Sequence, residues 1–329
     1  MKKIINLMLA LFVILMIVIA HGCKKKGDLP EVTTLEVTDI TNNSAKSGGN
    51  IISDGGCEII DKGVCWNTIG NPTVDADPKA SSGKGSGNFT SNLTGLQSGT
   101  TYYLRSYATN GPGTTYGEEL TFLTKVTDID GNLYNTVKIG TQIWMAENLK
   151  TTKYNDNSVI SNVTDNEEWT NLTIGAYCWA DNDETTNKPL YGALYNWYAV
   201  ETDKLCPEGW HVPTDEDYKI LEKTLGLTQE QADESEWRGT NQGSQLKSVH
   251  GWLEDGNGTN SSGFTASPSG YRFYGDGTTK GLGLICYFWT STPFDNLLST
   301  YRRLDADNTA IYRRSAYKEA GKSVRCVKD

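Results

Sequence analysis

The residues best placed to do chemistry lie in Cys206-Pro-Glu-Gly-Trp-His-Val-Pro-Thr-Asp-Glu-Asp-Tyr218. A thiol, an imidazole and carboxylates this close together are the raw material of nucleophilic or general acid–base catalysis. The same spacing has a simpler explanation. Pro207-Glu-Gly209 makes a turn, Thr214 is an N-cap, and Asp217 stands at the capping-box position. Asp215 and Glu216 fill a first helical turn, where the dipole favours acids. Capping therefore accounts for all three carboxylates at 215–217, and His211, between Trp210 and Val212, reads as a structural side chain rather than a base. No G-x-S-x-G, H-E-x-x-H or phosphate-binding loop occurs in the chain. Two further groups offer oxygens to a cation. Asp128-Ile-Asp-Gly-Asn132 opens like a calcium loop but lacks the downstream Glu at EF-hand spacing, so it reads as a tight turn. Asp181-Asn-Asp183 reads as an exposed loop capped by its own side chains. No cofactor is expected, and structural calcium is the one ion that such oxygens would accommodate.

The elements that carry these residues are legible in part. The helix after Thr214 is expected to run to Leu225, to bury Tyr218, Leu221 and Leu225, and to stop at Gly226. Val137 to Met145 predicts a strand carrying Ile139, Ile143 and Trp144. Leu194, Trp197 and Tyr198 fall at helical spacing within 191–200 and predict a buried helical face.

The N-terminus bears on where such a protein works. Met1-Lys2-Lys3 is a basic n-region, Ile4 to Ala20 is apolar except for Asn6, and Ala20-His21-Gly22-Cys23 resembles the bacterial lipobox. Residues 1–22 are expected to be a lipoprotein signal peptide, with Cys23 lipidated and 23–30 a tether; an uncleaved anchor is the alternative. The chain is thus expected in the bacterial cell envelope, lipid-anchored to the outer membrane on its periplasmic or surface face. Export to an oxidising compartment leaves six further cysteines free to pair, in any of fifteen connectivities. No CxxC or Cys/His cluster offers a metal site instead. The net charge of −10 argues against nucleic acid and is compatible with neutral polymers such as glycans.

Residues 31–125 alternate and turn as a β-sandwich does. Leu96-Gln-Ser-Gly-Thr-Thr-Tyr102 leads directly into a strand, a spacing that resembles the tyrosine corner of fibronectin type III domains. Period two turns Tyr102, Leu104, Ser106 and Ala108 inward. Asn110-Gly-Pro-Gly113 is a hairpin. Cys57 and Cys65 could bond only if a turn lay between them. This stretch is expected to be a fibronectin-III-like spacer.

Over residues 126–329 several segments fit one pattern. They include Ile139-Gly-Thr-Gln-Ile-Trp144, Tyr191-Gly-Ala-Leu-Tyr-Asn-Trp197, Cys206-Pro-Glu-Gly-Trp-His-Val-Pro-Thr214, Gly270-Tyr-Arg272, Phe288-Trp-Thr-Ser-Thr292 and Ser323-Val-Arg-Cys-Val-Lys-Asp329. Together they resemble the Fibrobacter succinogenes major paralogous domain. That resemblance implies a C-type-lectin-like α+β fold, related to the formylglycine-generating sulfatase-modifying enzymes. The fold class expected for the whole chain is therefore multidomain, an all-β sandwich followed by an α+β domain. The resemblance places a second helical region at 228–247, interrupted at Gly239 and Gly243, and central strands at Phe288-Trp289 and 324–327. It brings the ends of the domain together, which implies a Cys206–Cys326 disulfide and leaves Cys178 and Cys286 as a remaining pair.

Two functions from different classes follow. The paired C-terminal cysteines of the sulfatase-modifying enzymes are missing, since 315–329 holds only Cys326, and this disfavours an enzyme of that kind. The expected function is a non-catalytic binding or adhesion module for glycans or surface proteins. Trp179, Trp252 and Tyr274 would stack on sugar rings, with Asp181, Asp183 and Asp276 accepting hydroxyl hydrogen bonds.

Overall fold

Alternation of polar and apolar side chains shapes part of the first unit. The segment 87–94 reads GNFTSNLT, and Phe89, Ser91 and Leu93 are buried while their neighbours face water. The computed structural model describes residues 27–329, so the lipidation expected at Cys23 lies outside the described residues. These divide into two compact units, one running up to Leu96 and resuming over Thr100–Phe122, the other comprising Gln97–Gly99 and Leu123–Asp329.

The first unit contains β1 (Glu31–Thr38), β2 (Ser44–Ser53), β3 (Asp61–Asn67), β4 (Lys79–Ser81), β5 (Gly87–Thr94), β6 (Thr101–Thr109), β7 (Thr114–Tyr116) and β8 (Leu120–Leu123). One sheet has the order β1-β2-β5 and the other β4-β3-β6-β7, with β8 also on β6. Val32, Phe89 and Leu93 from the first sheet meet Val64, Trp66 and Leu104 from the second in one core, a fibronectin-III-like sandwich. Tyr102, Leu104, Ser106 and Ala108 are all buried, as period two requires. The Tyr102 ring stacks on Phe122 with centroids 5.7 Å apart. No Cys57–Cys65 bond forms. Cys65 is a free thiol inside β3. Its Sγ is occupied by the carbonyls of Pro72 and Arg105.

The second unit opens with the ladder of β9 (Val126–Thr127) and β10 (Leu133–Tyr134). The single strand expected over 137–145 is a hairpin, β11 (Thr136–Ile139) against β12 (Gln142–Met145). The cause is Gly140, whose φ of +60° lets the chain reverse, and where an added Cβ would sit 2.6 Å from Thr224 Oγ1. β13 (Ser161–Asn162), β14 (Ala176–Trp179) and β15 (Ala193–Tyr195) form a three-stranded sheet. The helical face expected within 191–200 is therefore split. Gly192, at φ +69°, releases β15 to pair with β14, and Asn196 then caps a short helix over Trp197–Val200.

β16 (Trp210–His211) leads into the main helix, here α1 (Asp215–Thr224), with Thr214 and Asp217 completing the capping box as expected. Glu222, on the buried face of α1, accepts hydrogen bonds from Arg238 at 2.8 and 3.0 Å and from Arg302 Nε at 2.5 Å. Asp215 holds Arg302 and Arg313, each at 2.7 Å. The region 228–247 is two short helices, Gln229–Asp233 and Gln242–Leu246, with β17 (Glu236–Arg238) between them.

The largest sheet comprises β17, β18 (Ser269–Arg272), β19 (Thr279–Leu282), β20 (Ile285–Pro293), β21 (Leu298–Asp305) and β22 (Ile311–Tyr317), in the order β17-β22-β21-β20-β18-β19. Phe288 and Trp289 lie in β20, a central strand. Of the expected strand 324–327 only the end pairs as β23 (Val327–Lys328), inserted between β12 and β16. The chain end thus returns to the start of the unit. There Cys206 and Cys326 are disulfide-bonded, with Cα atoms 5.9 Å apart and a sequence separation of 120. Cys178 and Cys286 do not pair. They sit in different core clusters, Cys178 with Val163, Trp169 and Leu194, Cys286 with Trp144, Phe264 and Leu304. Among the described residues no helix is long and apolar enough to cross a membrane.

Candidate functional site

The stretch 206–218 is fully engaged in structure. Trp210 is buried, and β16 pairs with β23. His211 Nδ1 lies 2.6 Å from an Asp329 carboxylate oxygen, and Nε2 lies 3.2 Å from Asp217. Asp217 and then Asp329 raise the imidazole above its ordinary pKa. Burial alone would lift Asp217, but His211 and Thr214 outweigh it and hold the carboxyl down at about 2. His211 is a clamp between the last residue and the cap of α1. Asp128 likewise spends its oxygens on its own turn, accepting from the Asn132 amides and from Tyr134 Oη at 2.5 Å. No cluster of three or more His, Cys, Asp or Glu that could hold a metal occurs among the described residues.

The six residues proposed for ligand contact do not converge. Trp179 and Trp252 are 2% and 4% exposed, which removes both from any surface site. Trp179 packs edge-on against Tyr177, and Trp252 donates its indole N–H to Ser248 and to the Ala266 carbonyl. Each completes a core, because a large ring contributes most where it is wholly desolvated. Asp183 caps the helix that follows it, accepting from Thr186 N. Asp181 and Asp276 are exposed beside the start of β19. The Asp181 amide donates to Thr279 Oγ1, while Asp276 accepts from Thr278 and from Lys280 Nζ at 2.7 Å. Of the six, Tyr274 lines a cleft.

That cleft has a volume of about 380 Å³ and lies on the large sheet. Tyr271 on β18, with Phe273 and Tyr274 just beyond it, makes one side, and Leu298 and Tyr317 belong to the other strands that line it. Tyr287 and Tyr301 join them, their rings 5.1 Å apart between centroids. Tyr271 leans on Tyr287 at 4.6 Å and Tyr274 on Tyr317 at 4.4 Å. Burial pushes the Tyr301 phenol up to about 12, so it stays a hydrogen-bond donor at any physiological pH. Phe294 and Leu297, in the turn between β20 and β21, are 64% and 63% exposed. Lys322 also lines the cleft yet is 2% exposed. Its Nζ sits 4.0 Å from the centroid of Trp289, 4.9 Å from that of Tyr301 and 5.3 Å from that of Tyr287. Burial is the cause that lowers this amine well below its ordinary pKa.

Sequence reasoning passed over Lys322, Tyr271, Tyr287, Tyr301 and Tyr317. A signal for part of this set existed. Tyr287-x-Trp289, Tyr301-x-Arg303 and Tyr312-x-Arg314 place an aromatic or an arginine at period two in three successive strands. The register Trp289↔Tyr301↔Arg314 puts them on one face.

A β-rich second unit, stapled end to end and carrying an aromatic cleft, follows a sandwich unit. The chain belongs to the Fibrobacter succinogenes major domain family, whose model matches residues 137–328. No curated protein matches it. Among solved structures it is similar to the sensor domain of the anti-sigma factor RsgI4 of Pseudobacteroides cellulosolvens, at 19% identity over 29% of this chain and 93% of that one, with a TM-score of 0.24. A human FNIII domain is 21% identical over 31% and 82% of the two chains, and the FN1-FN3 domains of chicken CNTN1 are 12% identical over 30% and 31%, each with a TM-score of 0.24. At these TM-scores the likeness carries no argument about this chain.

Proposed function

We propose that the chain is a non-catalytic binding module of the bacterial cell envelope, anchored to the outer membrane by lipid at Cys23 and taking a glycan in the cleft of its second unit. The observation that carries this reading is the cleft itself. Six aromatic rings line it, and Leu297, next in sequence to the lining Leu298, stands in solvent. Ring-lined concavities with a few polar groups are the usual form of small-ligand sites, and exposed apolar side chains grouped beside one mark contact surfaces. Among the described residues no cysteine is poised as a nucleophile, which supports a binding role. Burial pushes the Cys178 thiol up to about 11 and the Cys286 thiol higher still, away from the reactive thiolate. We read the second unit as C-type-lectin-like, on the support of its stapled ends and the return of β23 to β12. The test is a glycan array probed with the full chain in detergent. Binding that is lost in Tyr301→Ala is the expected result, and binding to no glycan would refute the reading.

A further inference from the structure

The deeply buried cations of the second unit follow one rule, and a single residue breaks it. Arg238 and Arg302 are paired with Glu222, and Arg272 donates to the carbonyls of Thr164, Asp165 and Gly277. Arg325 donates to Asn148 and the Thr265 carbonyl, and Lys247 to the carbonyls of Asp305, Ala306 and Asn308. Each has protein partners, though Arg238 Nε itself is left without one, and such partners offset the desolvation cost of buried charge. Lys322 is buried as deeply and meets only ring faces. Among the described residues neither a carboxylate nor a hydrogen-bond acceptor reaches its Nζ, which keeps contact with solvent through the cleft. Aromatic faces repay part of the cost by attraction to an ammonium, but they leave its N–H donors unused.

The unused donors belong to a residue that lines the cleft, and the cleft has a charge of its own. The chain carries a net −10, yet no Asp or Glu lines this cavity. Its basic residues are Lys322 and Arg314. The Arg314 side chain is 60% exposed, pairs with Glu236 at 3.8 Å and donates to Tyr312 Oη at 3.3 Å, solvent-exposed contacts that cost little to exchange for a ligand. A basic, acid-free, ring-walled cavity on an acidic protein is complementary to a ligand that joins a flat apolar surface to a negative group.

We propose that the cleft selects an acidic saccharide, a chain bearing uronic-acid carboxylates, and that Lys322 receives one carboxylate while the tyrosines pack on the sugar rings. This rests on the reading of the cleft as a glycan site. A neutral sugar offers these donors only hydroxyl and ring oxygens, whereas a carboxylate favours the protonated amine and pairs it through charge-assisted hydrogen bonds, the strongest kind available to a side chain. A site built to pair a buried polar group discriminates sharply against an analogue that lacks the partner.

The experiment is isothermal titration of the full chain in detergent with trigalacturonate and with its fully methyl-esterified form, which keeps the skeleton and loses the charge. The acid is expected to bind on the order of tenfold or more tightly than the ester, the factor that one charge-assisted hydrogen bond supplies. Lys322→Met should reduce the acid to the affinity of the ester and leave the ester unchanged. Equal affinities for acid and ester in the unaltered chain overturn this inference while leaving the glycan site standing. Retained preference in Lys322→Met overturns it too. Binding of neither form would count against both readings. The acid–ester comparison needs no variant, so it decides the question even if Lys322→Met does not fold.

Discussion

Removing the Cys206–Cys326 bridge with the double variant Cys206→Ala/Cys326→Ala should be the most damaging small change to the second unit. The bond joins residues 120 apart, and β23 has only two residues with which to hold the chain end between β12 and β16. Constraining a loop of that length removes about 16 cal/mol/K of chain entropy from the unfolded state, or about 5 kcal/mol at 25 °C. For a unit of this size each kcal/mol moves the midpoint by roughly 2–4 °C, so the expected loss is about 10–20 °C. Tryptophan fluorescence reports the right transition, because Trp66 is in the first unit and the other eight of the nine lie between 144 and 289. Thermal melts of the variant, and of the unaltered chain with and without reductant, should show the fluorescence transition move while a probe of the sandwich does not. A fall of less than about 3 °C would refute the entropic reasoning, on the same scaling of stability to midpoint. It would mean that the contacts of Val324 and Cys326 backbone with Leu149 and Met145 close the unit unaided.

Other outcomes follow from the same packing. Glu222→Gln leaves Arg238 and Arg302 buried against a neutral amide and should cost about 3–5 kcal/mol, measured by urea unfolding; a loss under about 1 kcal/mol would show that water reaches the pair. Trp252→Ala should cost about 3–5 kcal/mol and leave glycan affinity in the folded fraction untouched, whereas a loss of binding at unchanged stability would return Trp252 to the ligand site. His211 has its pKa raised in the fold, so its contribution is complete below the unfolded value near 6.5 and is lost as pH rises through the folded one. Asp217 has its pKa lowered to about 2, so its contribution is present above the unfolded carboxylate range and fades as pH falls toward that value. Melts of His211→Gln across pH 5 to 9 should lose the alkaline decline seen in the unaltered chain, and superimposable slopes would contradict the clamp.

Much of the local architecture was legible because local causes produce it. Thr214 and Asp217 cap α1 through contacts three residues apart, and the alternation in 101–109 fixed which side of β6 faces the core. Where glycine geometry overrode periodicity, reading failed: Gly140 folds one expected strand into a hairpin, and Gly192 turns one expected helix into a strand and a single turn. The Cys206–Cys326 pairing came through family resemblance rather than spacing, and the same reasoning misjudged Cys178 and Cys286, since nothing near either residue reveals which core receives it. Ligand contacts fared worst. Trp179 and Trp252 are aromatic residues in polar loops, a composition shared by core plugs and by sugar platforms. Sequence alone settled the caps, the strand alternation and the acidic charge of the whole, because these are properties of neighbours along the chain. Only tertiary structure decided that Lys322 lies beneath Tyr287, Trp289 and Tyr301 without a partner. That environment is assembled by strands far apart in sequence, and a lysine's surroundings, unlike its type, are set by what the fold carries to it.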